Sequence, residues 1–300
     1  MDPQNIFCPN MQCPARGRTG VGNIGIYSHK ERRYICHVCG RTFVETKGTP
    51  FYRLKTAKDV FTLVVTLLCY GCPVQAIVAA FGLDERTVRD WLERSGRQSQ
   101  SVHQHLVQKP RQVGQVQADE IRVKEQGKVV WMAMAIMVRS RLWLGGVISE
   151  HRNLALTTAL MHRVHACSSA LYGAILFCTD GLSLYVTAIR KVFRQAVPSG
   201  HRGRPELRAW GNLCIAQSLK QYAQGRVVGV VRRIIQGSAQ QIQSVIEQTQ
   251  GSGNGVINVA FIERLNATFR QRLYSLVRRG RALARQTESL HRGMYLVGTV

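Results

Sequence analysis

Two short cysteine pairs near the N-terminus constrain the fold more than any other feature. Cys8 and Cys13 are separated by four residues, a 22-residue spacer follows, and Cys36 and Cys39 are separated by two. Each pair sets two thiolates on a tight knuckle, which is the arithmetic of a four-thiolate zinc ribbon. Zn²⁺ is tetrahedral, takes soft sulfur ligands, and supplies folding free energy that so small a module cannot draw from an apolar core. The glycines between the pairs (Gly17, Gly20, Gly22, Gly25) let the chain return as a hairpin, and Tyr34-Ile35 and Arg41-Thr42-Phe43 are strand-like flanks. Cys8, Cys13, Cys36 and Cys39 are the expected zinc ligands; His29 and His37 are nearby but not needed. Cys69 and Cys72 close an apolar helical stretch with no second pair in reach, so they are expected in a core.

Charge narrows the partners. The 300 residues carry 41 Lys and Arg against 17 Asp and Glu, a net +24, and 32 of the cations are Arg. The planar guanidinium fork suits phosphate, and the excess is spread over the whole chain, so nucleic acid is favoured over acidic lipid as the partner. No run of 18 uncharged apolar residues occurs, which argues against a membrane span. The first five residues lack the basic-then-apolar pattern of a signal peptide. A cytoplasmic, nucleoid-associated protein is expected, and its nine cysteines are not read as disulfides.

Two short helices are expected after Pro73. Val74, Ile77, Val78 and Phe81 form one apolar stripe, Gly82-Leu83 makes the turn, and Asp84 is an N-cap. Val88, Trp91 and Leu92 bury the next helix, which leaves Arg86, Thr87, Arg89 and Arg94 to meet DNA as a helix-turn-helix. Residues 96–114 are polar and contain Pro110, the composition of a linker with a short helix. The expected organisation is a zinc ribbon over 1–50, a helix-turn-helix domain over 51–98, a linker over 99–114 and a catalytic domain over 115–300.

Past residue 96 only two aspartates occur, Asp119 and Asp180, each at a strand-like run. Gln115 to Asp119 alternates as a strand does, and Leu176 to Thr179 is a short buried strand ending in Asp180-Gly181. Between them, Val129–Met137 and Leu142–Ile148 read as two more strands and Leu154–Val164 as a helix. Three antiparallel strands, a helix and a fourth strand begin a ribonuclease-H-like α/β layer, in which the first and fourth strands are neighbours. Asp119 and Asp180 then face each other. Two hard divalent cations need a further oxygen ligand, and Glu263 is the choice. Residues 257–276 read as a helix with Phe261, Leu265, Phe269 and Leu273 on the buried face. Glu263, Asn266 and Arg270 follow at i, i+3 and i+7 on another face, placed to meet a metal-bound phosphodiester. Glu120 adjoins Asp119 but points to the opposite side of its strand.

Taken together, these residues resemble a bacterial insertion-sequence transposase of the DDE class, of the InsAB-like kind, with zinc-ribbon and catalytic halves in one chain. The likeness rests on the four-cysteine ribbon, Gly71-Cys72-Pro73-Val74-Gln75-Ala76-Ile77 and Gln117-Ala118-Asp119-Glu120. Thr179-Asp180-Gly181-Leu182-Ser183-Leu184-Tyr185 and Phe261-Ile262-Glu263-Arg264-Leu265-Asn266 complete it. The resemblance implies a ribonuclease-H-like fold and a triad of Asp119, Asp180 and Glu263 holding Mg²⁺ or Mn²⁺. It further implies double-stranded DNA (element ends and target) as substrate, strand cleavage and strand transfer as the reaction, and a homo-oligomer in the synaptic complex. Asp180 and Glu263 stand 83 positions apart, wider than in compact members, so an insert over about 195–255 is expected. It includes the basic loop His201-Arg202-Gly203-Arg204-Pro205 and strand-like 227–235. The chain stops within the apolar run Met294–Val300, where family members usually continue. The alternative is a DNA-binding regulator or decayed transposase without catalytic activity.

Overall fold

Alternation of apolar residues along short β-branched runs, broken by knuckles and turns, produces a small sheet first and a large one later. The computed structural model describes residues 1–197, 204–250, 255–276, 284 and 286–300. Two units divide the chain, Met1–Val65 and Thr66–Val300.

The first unit holds a three-stranded antiparallel sheet, β1 (Ile24–Ser28), β2 (Arg33–Cys36) and β3 (Thr42–Val44), in that order. Ile24 pairs with Cys36 and Tyr34 with Phe43. Its core is minimal: Ile24, Tyr34, Phe43 and Ala15 packed around Cys8, Cys13 and Cys36. So few apolar side chains cannot offset the ordering entropy of the segment, and the cysteines must contribute more than packing. Helix α1 (Lys58–Cys69) runs across the boundary between the units.

In the second unit α2 (Val74–Phe81) ends on Gly82 in the left-handed region (φ 62°), and Asp84 caps the next helix by accepting the Arg86 N–H at 2.7 Å. That helix, α3, spans Glu85–Leu106. Residues 99–106, expected as the start of a linker, thus continue the helix. The chain then forms β4 (Gln115–Glu125), β5 (Lys128–Met137), β6 (Trp143–Ser149), α4 (Leu154–Ala166), β7 (Ile175–Thr179) and α5 (Ser183–Val192). A short hairpin of β8 (Arg194–Val197) and β9 (Glu206–Ala209) precedes β10 (Leu213–Ala223) and β11 (Arg226–Gln236). Helices α6 (Ala239–Gln250), α7 (Ala260–Arg272) and α8 (Thr287–Thr299) complete the unit.

The large sheet is mixed, in the order β11-β10-β7-β4-β5-β6. β4, β5 and β6 are mutually antiparallel, whereas β7 runs parallel to both β4 and β10. Both faces are covered, and alternation along each strand sorts its side chains between them. Val116, Ala118, Phe177 and Ile215 pack with Leu160, Val164, Tyr185 and Ile189 of α4 and α5. Ile121, Met132 and Met134 pack with Ile262, Phe269 and Met294 of α7 and α8, and Cys178 and Ala216 with Ile242 and Val245 of α6. The result is an α/β unit of three layers.

Two stretches marked out by the sequence find their places in the second unit. The segment expected as an insert is not peripheral throughout: β10 lies within the sheet, with Leu213 to Ala216 fully buried, because it pairs with β7 along five residues. Its strand-like 227–235 stretch is β11, while His201, Arg202 and Gly203 lie outside the described residues. The apolar C-terminal run is the buried side of α8, with Met294, Tyr295, Leu296 and Val297 all inward. Among the described residues no helix is long and apolar enough to cross a membrane.

Candidate catalytic pocket and four-cysteine cluster

In the first unit the thiols of Cys8, Cys13, Cys36 and Cys39 lie within 4.8 Å of one another. Cys8 Sγ is 3.7 Å from Cys39 Sγ, and Cys13 Sγ is 3.8 Å from Cys36 Sγ. Tetrahedral zinc with Zn–S of about 2.3 Å requires S···S separations of about 3.8 Å. The four cysteines can therefore hold a metal ion such as zinc, and neither His29 nor His37 belongs to the group. The second knuckle turns at Gly40 (φ 66°), whose N–H bonds to the Cys36 carbonyl at 2.8 Å. The Arg41 backbone N–H brings the Cys39 thiol down to about 6, while burial pushes Cys8 up to about 12.

The second unit carries the carboxylates. β4 pairs with β7 in a register that sets Gln117 beside Cys178; two residues further along each strand stand Asp119 and Asp180. β10 pairs Gln217 with Thr179, so Ser218 follows level with Asp180. Glu263 comes from the first turn of α7. Asp119, Asp180 and Glu263 line one cavity of about 300 Å³ together with Gly181, Ser218, Lys220 and Tyr222.

Buried amides fix this geometry. Gln115 and Gln117 lie on the same face of β4 as Asp119, and both are fully buried. Gln117 Oε1 accepts the first-turn N–H groups of Phe261 and Ile262, both at 3.0 Å. α7 has no side-chain cap of its own, so Gln117 supplies the acceptor from the sheet. Gln115 Oε1 accepts from Thr249 and Gln250 at the end of α6. On β10, Gln217 Nε2 donates to the Asp180 carbonyl at 2.8 Å, and Gln217 Oε1 is itself held by Arg233. The Asp180 side chain accepts the Leu182 N–H at 3.0 Å, a tight turn ahead of α5.

Asn266 is placed differently from expectation. It is 1% exposed, because the buried stripe of α7 runs through Ile262, Asn266 and Phe269, and its Nδ2 donates to Asp119 Oδ2 at 2.8 Å. It orients a carboxylate from within the buried stripe of α7. Phe261 and Leu265, expected inside, are half-buried, and the Arg141 guanidinium covers the Phe261 ring at 3.6 Å. Arg270 is half-buried on α7. Residues 251–254 lie outside the described residues.

Electrostatics mark Asp119. Burial raises its carboxyl from 3.8 to about 7, with Glu120, Asp180 and Glu263 adding like charge. Lys220 bridges to Glu263 Oε1, and that partner raises the Lys220 pKa. Asn266 Oδ1 is buried without a hydrogen-bond partner among the described residues. Three carboxylates around one polar cavity are a hard-oxygen donor set of the kind divalent cations take. They are not drawn together as the thiols are: among the described residues only the cysteines bring three or more such ligand atoms within 4.8 Å. Glu120 points to the other face, where it accepts from Tyr185 Oη at 2.9 Å and Arg152 Nε at 2.5 Å.

The helix pair presents a mixed face. Arg86 is exposed and Thr87 half-buried. Arg89 is engaged by Glu85 at 2.7 Å and Arg94 by Asp90 at 3.1 Å, each four residues back along α3. Compared with known proteins, the chain matches no protein-family model and no curated protein.

Proposed function

We propose that the chain is a DNA transposase of the DDE class that binds element ends, cuts them and joins the 3′ ends to a target. The observation that carries this reading is the convergence of Asp119, Asp180 and Glu263 on one cavity from β4, the end of β7 and α7. The order β6-β5-β4-β7-β10, antiparallel over its first three strands and parallel over the rest, supports a ribonuclease-H-like assignment. A net charge of +24 favours a polyanionic substrate.

Asp119, Asp180 and Glu263 would hold Mg²⁺ or Mn²⁺, which supplies activation of a water or 3′-hydroxyl and stabilisation of the leaving oxygen. The chain's own residues position and neutralise. Asn266 holds Asp119 Oδ2, the Leu182 N–H holds one oxygen of Asp180, and Gln217 fixes the Asp180 backbone. Lys220 brings a positive charge to the wall where a phosphodiester would lie. Zinc in the four-cysteine cluster would order the first unit for binding element ends, with Arg86 and Thr87 of α3 as further DNA contacts. Arg89 and Arg94 would have to leave Glu85 and Asp90 to join them.

The test is cleavage of duplex DNA spanning either side of the chain's own reading frame. Magnesium-dependent cutting and joining is expected, and Asp180→Asn should abolish both while binding persists. Cutting by that variant at the parental rate would refute the assignment. Salt-dependent binding with no metal-dependent cutting by the parent would instead make the chain a DNA-binding regulator.

A further inference from the structure

β10 and β11 project beyond the sheet as a two-stranded arm. Leu213 to Gln217 pair with β7 on one side, whereas among the described residues Leu219 to Ala223 pair with β11 alone. Most of β11 is exposed. From Leu213 to Gln236 the sequence holds four cations (Lys220, Arg226, Arg232 and Arg233) and no Asp or Glu. Arg233 is spent on Gln217. Arg226 stands exposed at the tip, across from Ala223, and among the described residues Arg232 is engaged through its Nε, on the Ile257 carbonyl.

The arm has a direction set by the pocket. Strand alternation places Ser218, Lys220 and Tyr222 on one face, and the pairing sets Arg232 across from Ser218. These three β10 residues all line the carboxylate cavity, so this face continues the cavity wall outward. At about 3.4 Å per residue, Tyr222 stands about 14 Å along the strand from Ser218. The residue is 65% exposed, and no ring or guanidinium of the described residues stacks on it. A phosphodiester strand leaving the carboxylates along this wall meets a cation and then an aromatic platform.

We propose that the arm holds an unpaired nucleic-acid strand leaving the cavity, with Arg232 on its phosphates and Tyr222 stacked on a base. This rests on the nucleic-acid reading above and specifies the substrate as locally single-stranded beside the cut. Charge selects this occupant over a second copy of the chain, since two arms of four cations and no carboxylate repel. The irregular register near Gln221 and Tyr222 also twists the ribbon and spoils edge-to-edge pairing. The valines along β11 favour the extended ribbon and present apolar surface to sugars and bases.

Fluorescence anisotropy with the full chain in magnesium-free buffer tests this, using a labelled duplex with a short unpaired 3′ tail and the same duplex blunt. Tyr222→Ala should weaken tailed-duplex binding about tenfold or more and leave the blunt duplex within about twofold, while Tyr222→Phe binds both like the parent. Arg232→Ala should weaken both duplexes and lower the salt slope by about one for its lost phosphate contact. Parental binding of the tailed duplex by Tyr222→Ala overturns the proposal. So does a parental dimer that Val228→Lys dissolves, which would give the arm to a second copy. The assay needs no cleavage: a chain that binds the tail through Tyr222 but never cuts loses the transposase reading alone. A chain that cuts while ignoring Tyr222 loses this inference alone.

Discussion

Asp119→Asn should make the metal-free chain more stable, and the size of the gain follows from the pocket. Burial and three neighbouring carboxylates raise the Asp119 carboxyl from 3.8 to about 7. An acid whose folded pKa lies above its unfolded value binds its proton more tightly in the folded state. Folding stability contributed by that proton is complete below about pH 4, declines as pH rises towards 7, and is gone above it. A displacement of about three pKa units at about 1.4 kcal/mol each gives about 4 kcal/mol; since Asp119 keeps part of its surface in water, about half of that is expected. Asparagine matches the shape and still accepts from Asn266 Nδ2 through its oxygen, so the charge is removed with little else changed. At pH 8 in magnesium-free buffer the variant should gain about 2 kcal/mol, about 4–8 °C in Tm for a unit of this size. At pH 4 the two proteins should melt together. Added Mg²⁺ should raise the parental Tm and leave that of Asp119→Asn nearly unmoved. Thermal melts at both pH values, with and without magnesium, measure all of this. An unchanged or lower Tm for the variant at pH 8 would refute the reasoning, because burial and the neighbouring carboxylates would then not penalise the Asp119 charge in the folded chain.

Two further outcomes probe the remaining parts. Cys36→Ser should lose zinc, read as metal content after dialysis, and the first unit should lose its antiparallel sheet with it; binding to the chain's own element ends should fall in parallel, and full binding without zinc would disconnect the two. Gln117→Leu should cost about 1–3 kcal/mol for each of the two N–H groups of α7 left without an acceptor, and should weaken magnesium's effect on Tm by loosening Glu263. Denaturation of this variant at parental urea concentrations would show that α7 does not depend on the sheet for its cap.

Much of the candidate site was legible because its residues are rare or regularly spaced. Four cysteines in two knuckles have few uses in so small a module, and two aspartates in the last two hundred residues stand out against an arginine-rich background. Strand-period alternation located β4 and β7, and the register of their pairing follows from burying one face. The extent of α3 was not legible. Its Ser- and Gln-rich half has the composition of a linker, yet Gly96 lies where a Cβ would sit 2.6–2.9 Å from Arg292. The glycine is there for a close crossing with α8, where Arg292 also bonds Glu93 at 3.1 Å. Small and polar residues that serve a tight helix crossing carry the same letters as a flexible segment.

The glutamines escaped for a related reason. Gln115, Gln117 and Gln217 look like ordinary polar positions in strands, and only burial turns them into the acceptors and donors that seat α6, α7 and the Asp180 turn. Asn266 was misassigned by the same blindness. Its spacing from Glu263 is right for a shared outer face, but a helix capped by Gln117 is rotated until Asn266 points inward to Asp119. Periodicity gives the angles between residues on a helix and says nothing of where zero lies. Here the zero is set by one buried amide on a neighbouring strand, two residues before the aspartate it serves. A polar residue at i−2 to an acid within a strand, on the same face, is therefore a feature to weigh when reading a carboxylate site from sequence. Its side chain shares the acid's face and reaches the helix that brings the next ligand.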